Sequence, residues 1–191
     1  AVNEQEGFEL KWGKILSVAL NALLYTDTIS KFYHASVVRE REPGAAARLR
    51  DQYLAMAEKP ILDNTPSLLV EYAARAARDF NGICLDKTCP RVGVVGEIFL
   101  KFNSFAHQHV VRVLTEQGIE VAPPLLLPFF MQGFVNRDNK ESMYLSKQHI
   151  PHFLSRMAYR LIDKRIAQFN RTGSAVSYTH LRAHETVLDL V

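Results

Sequence analysis

Several residues in this sequence have types and spacings that could do chemistry. Cys84 and Cys89 are separated by four residues and precede an apolar run. Thiolates ligate zinc and iron–sulfur clusters, so the pair could supply half of a ligand set with the rest coming from elsewhere; the alternative is a pair of inert thiols. His107 and His109 are two apart, which on a helix points them to different sides, so they are expected on the surface and not as a chelating pair. His180 and His184, with Glu185 beside them, have the four-residue spacing of metal ligands on one helix face. They lie, however, within Val176 to Thr186, which resembles one reading frame of a common transposase sequencing adapter. Residues 176–191 are therefore expected not to be native, and no metal is assigned to them.

The remaining candidates are Glu97, Lys101, Asn103 and Ser104, with Phe102 and Phe105 available as walls. A carboxylate, an ammonium, an amide and a hydroxyl at one sheet edge could hold an anionic ligand, because helix N-termini beyond the carboxyl ends of strands present free N–H groups. The alternative is local: Asn103 and Ser104 cap a helix and Glu97 pairs nearby. Gly93 and Gly96 do not make a dinucleotide fingerprint, since the following turn, Lys101 to Phe105, has no glycine, and no phosphate-binding P-loop occurs. These two glycines are expected to permit close packing against the sheet.

The elements that must position these residues follow from periodicity. Leu16, Leu20, Leu23 and Leu24 mark an amphipathic helix over residues 12–33; Ala46, Leu49, Tyr53 and Met56 mark a second, ending near Lys59-Pro60. Thr65-Pro66 predicts a third helix start with Thr65 as cap and Pro66 in the first turn, and Asn81-Gly82 its end. From Val92 to Leu100 the run is continuously apolar, which predicts a strand covered on both faces, as in a parallel sheet. A helix capped by Ser104 and closed at Gly118, then a strand over Ile119 to Val121, complete a βαβ crossover. After Pro123-Pro124, Leu125 to Val135 reads as a short buried helix or apolar loop, and a last helical stretch begins at Ile150-Pro151. The expected fold is α/β, with N-terminal helices, a βαβ unit of a parallel Rossmann-like sheet, and C-terminal helices.

Composition fits that architecture: 191 residues, 48% hydrophobic and 23% charged, allow one globular unit with a sizeable core and exclude a disordered or collagen-like chain. Net charge is only +3, and the signs interleave, as in Arg39-Glu40-Arg41-Glu42, which predicts a solvated surface and no nucleic-acid partner. The strongest apolar stretch, Val121 to Phe130, is short and holds three prolines, so no membrane span is expected. Two cysteines and no signal-peptide pattern at Ala1 to Glu9 make the cytoplasm the expected location. The absence of an initiating Met and the adapter-like end lead us to expect an internal or C-terminal piece of a longer protein.

The segment from Arg91 to Leu127 resembles the dehydratase-like region of the acyl-CoA dehydratase activase-related proteins, relatives of the 2-hydroxyacyl-CoA dehydratase activators. The resemblance is carried by a strand ending in G-E-I, an N-x-F turn, a helix and a second strand ending at prolines; the matching positions are Gly96, Glu97, Ile98, Asn103, Phe105, Ala106, Gly118 and Val121. Trp12 and the Glu42-Pro43-Gly44 loop extend it over most of residues 10–170. It divides the chain into a helical part (1–82), an α/β dehydratase-like part (83–175) and the adapter-like end (176–191). It implies ATP-coupled, one-electron transfer through a 4Fe-4S cluster to a dehydratase acting on a CoA thioester. The implied partners are the dehydratase or ATPase module of the same system and an acyl-CoA. ATP would bind in a module outside this chain, and Cys84 is the candidate cluster ligand within it. A noncatalytic α/β scaffold or partner-binding domain without a cluster is the alternative.

Overall fold

The computed structural model describes residues 11–122, 125–127 and 164. The expected stretch from Ile150 (apart from Lys164), residues 128–135 and the adapter-like end lie outside the described residues.

Three helices make the core: α1 (Trp12–Ser36), α2 (Ala45–Leu62) and α3 (Pro66–Gly82), each packed on the other two. Tyr25, Ile29 and Phe32 recur along one face of α1, and Tyr53 of α2 and Leu69, Ala73, Ala76, Ala77 and Phe80 of α3 close on them. The alanines of α3 let the backbones approach while Phe80 fills the gap between Phe32 and Tyr53, at ring-centroid distances of 6.1 and 6.5 Å. Leu16, expected in the buried stripe, is 64% exposed. At ~1.5 Å per residue, α1 with 25 residues outruns α2 and α3 with 18 and 17, so its first turns project past them.

The helix ends differ instructively from expectation. Gly44 takes the left-handed conformation (φ 84°) that begins α2, where a non-glycine residue would be strained. The Glu40 carboxylate accepts from the Gly44 and Ala46 backbone N–H groups at 2.7 and 2.8 Å. Thr65 does not cap α3 with its side chain; its hydroxyl and backbone N–H both donate to the Pro60 carbonyl, at 3.0 and 2.9 Å, and so close the end of α2. Helix α2 continues two residues past Pro60.

Beyond α3, Glu40 and Cys84 form an isolated antiparallel bridge. Strand β1 (Arg91–Gly93) pairs in parallel with β2 (Glu120–Ala122), Arg91 opposite Glu120 and Gly93 opposite Ala122. Between them lie α4 (Ile98–Phe102) and α5 (Val110–Glu116). The protein is thus mixed α/β, helix-rich with a small parallel sheet, and the strand–helix–strand order with parallel pairing matches the expected crossover.

The details of that unit correct the sequence reading. The apolar run from Val92 to Leu100 is not one covered strand: only its first part is extended, and Arg91, Val92 and Gly93 are all exposed. The run breaks at Gly96 (φ 146°), after which the Glu97 side chain caps α4. A Cβ on Gly93 would meet nothing within 4 Å, so close packing does not explain that glycine; at Gly96 the backbone conformation does. The helix expected from Ser104 starts only at Val110, because Gln108 and His109 (φ 50° and 56°) are left-handed and interrupt it. Gly118 (φ 76°) closes α5 as expected.

Two buried acidic groups join the helical part to the sheet. Asp27 of α1 accepts from the Leu126 and Leu127 backbone N–H groups at 3.1 and 2.9 Å, and Leu127 enters the core. Glu120 of β2 holds Arg39 at 2.8 Å and Arg91 at 3.3 Å. The interleaved charges are therefore not all solvated: Arg39 and Glu120 are buried, and Glu40 is half-buried at the start of α2.

Candidate functional site

Glu97, Lys101, Asn103 and Ser104 all lie on the segment that leaves the carboxyl end of β1. Their nearness is local: the sequence itself holds them together, with Lys101 one helical turn after Glu97. Glu97 is exposed, and its Oε2 accepts from the Phe99 N–H at 3.1 Å. Asn103 is exposed, and its Oδ1 accepts from Phe105 N–H at 3.0 Å and Ala106 N–H at 3.2 Å, an Asx-type turn that stops α4 and turns the chain. Lys101 is half-buried, and the exposed Ser104 contributes its carbonyl to the His109 N–H at 2.7 Å. The local reading of these residues thus describes their contacts. What remains to meet a ligand is the Asn103 amide nitrogen, the Lys101 ammonium and the Ser104 hydroxyl, beside the exposed apolar side chains of Val95, Phe99 and Phe105.

The histidines of this segment also act on the backbone. His107 Nδ1 accepts from Val110 N–H at 3.2 Å and so starts α5, the role assigned to Ser104 from sequence; His107 is half-buried and His109 exposed.

Cys84 and Cys89 are both buried free thiols. Cys84 Sγ donates to the Phe80 carbonyl at 3.2 Å, and Cys89 Sγ points to the Val38 carbonyl at 4.0 Å. Burial pushes the Cys84 thiol above its ordinary range, against the opposing pull of a Ser36 hydrogen bond and the Arg39 and Arg41 charges, so it favours the protonated form that does not bind metal. A cubane cluster takes four thiolates; the sequence holds two, and among the described residues no three His, Cys, Asp or Glu side chains group as metal ligands. The donor set does not fit a 4Fe-4S cluster.

Sequence reasoning missed two sites. The first is the Arg39–Glu120–Arg91 cluster, in which Arg39 also donates to the Lys87 and Ala35 carbonyls at 2.9 and 2.6 Å. The available signal was Glu120 inside an otherwise apolar strand, a position that requires a cation. The second is Asp27 on the buried face of α1, where burial raises the carboxyl above its ordinary value while the two backbone bonds and Lys31 oppose the rise. His34, at the end of α1, is pushed down to about 4 by burial and by Arg50, and its buried Nδ1 has no partner among the described residues. Among the described residues no helix is long and apolar enough to cross a membrane. Comparison of the chain with protein-family models, with curated proteins and with solved structures finds no match in any of the three.

Proposed function

We propose that this chain is the dehydratase-like part of an acyl-CoA dehydratase activase-related protein, taking part in ATP-coupled, iron–sulfur-dependent electron transfer for 2-hydroxyacyl-CoA dehydration. The observation that carries the reading is the parallel β1–β2 crossover, with the G-E-I residues turning the chain out of β1 and the N-x-F asparagine turning it again after α4. In this reading β1 and β2 belong to a larger Rossmann-like sheet continued by C-terminal helices, and the protein works in the cytoplasm beside the dehydratase or ATPase module of its system. The chain's own work is binding and positioning. Glu97 and Asn103 fix the backbone of the rim, Lys101 supplies positive charge for the phosphates of an acyl-CoA, and the Asn103 amide and Ser104 hydroxyl supply hydrogen bonds. Because Cys84 and Cys89 do not make a cluster site, the cluster is liganded outside these residues, as ATP is bound outside this chain.

Two measurements test this. Full-length protein reconstituted anaerobically with iron and sulfide is expected to gain visible charge-transfer absorption that survives Cys84→Ala; a colourless product overturns the redox part. Calorimetric titration with an acyl-CoA is expected to show saturable binding, weakened about tenfold by Lys101→Ala, as loss of one charge-assisted contact of about 1.5 kcal/mol predicts. Unchanged binding in that variant removes the rim from the site. The second reading, a noncatalytic scaffold, is favoured by the use of the Glu97 carboxylate and Asn103 carbonyl as backbone caps. It predicts neither absorption nor acyl-CoA binding.

A further inference from the structure

We draw no further inference here: the strongest candidate, the exposed apolar face made by Val95, Phe99 and Phe105 beyond the carboxyl end of β1, is an unpartnered surface, and nothing in the structure shows what covers it.

Discussion

Replacing Glu120 by Gln should test whether a buried ion pair fastens the sheet to the helices. The Arg39 and Glu120 side chains are 6% and 11% exposed and meet at 2.8 Å. Two unit charges about 4 Å apart attract by about 4 kcal/mol at an effective dielectric near 20, and removing one member of a buried pair typically costs about 3–5 kcal/mol, because the other charge stays buried. Arg39 would keep its bonds to the Lys87 and Ala35 carbonyls, which favours the lower half of that range. Arg91, whose side chain is 47% exposed, regains water, and its share is at most about 1 kcal/mol. The expected loss is therefore about 3–4 kcal/mol by urea unfolding, with a fall in Tm of roughly 6–16 °C for a chain of this length. The double variant Arg39→Met, Glu120→Leu removes both charges at similar volume and should recover most of the loss, which makes the two sites strongly non-additive. A loss below about 1 kcal/mol for Glu120→Gln, or simple additivity in the cycle, would refute the reasoning.

Three other outcomes follow from the buried polar groups. Asp27→Ala should cost about 1–2 kcal/mol and speed amide exchange at Leu126 and Leu127 while leaving Phe80 protected, because both N–H groups lose their acceptor; Asp27→Asn should lose less, since one acceptor oxygen remains. His34 titrates near 4 in the folded chain against 6.5 unfolded, so its contribution is complete above pH 6.5 and is lost as pH falls towards 4. The stability difference between the native protein and His34→Gln should change by about 3 kcal/mol from pH 7 to pH 4, and a flat difference removes His34 from the acid response. Neither Cys84 nor Cys89 should react with Ellman's reagent before unfolding, and a rapid native reaction at either would contradict the burial that keeps them inert.

The helices were legible because their signals are periodic and local. Tyr53 and Met56, or Ala73 and Ala76, share a face by spacing alone, and Thr65-Pro66 marks the α2–α3 junction whatever packs nearby. The parallel crossover was legible for a similar reason: Gly118 and the apolar stretches around it leave few ways to connect two strands. The strand over Val92 to Leu100 was overextended because a continuous apolar run does not distinguish strand from buried helix. Two backbone devices decide that case: a left-handed Gly96, and a Glu97 carboxylate that reaches forward to the Phe99 N–H. Neither leaves a mark on hydrophobic periodicity.

The charged groups were misplaced for a different reason. Composition treats Arg39-Glu40-Arg41-Glu42 as one hydrophilic run, yet the fold uses each residue separately: Arg39 for a carboxylate 81 positions away, Glu40 for the start of α2, and Arg41 and Glu42 at the surface. A buried charge is tolerated only where a partner and hydrogen bonds meet it, and that partner is fixed by tertiary packing. The same logic bears on the rim. Glu97 and Asn103 have chemically versatile side chains, and in the folded chain each already satisfies backbone donors of its own loop. A ligand at this edge therefore meets a prearranged turn whose carboxylate and amide carbonyl hold the loop's shape, with recognition left to Lys101, Ser104 and the Asn103 amide nitrogen. That division makes Lys101→Ala the informative substitution: it removes the charge that a ligand would need and no contact that shapes the turn.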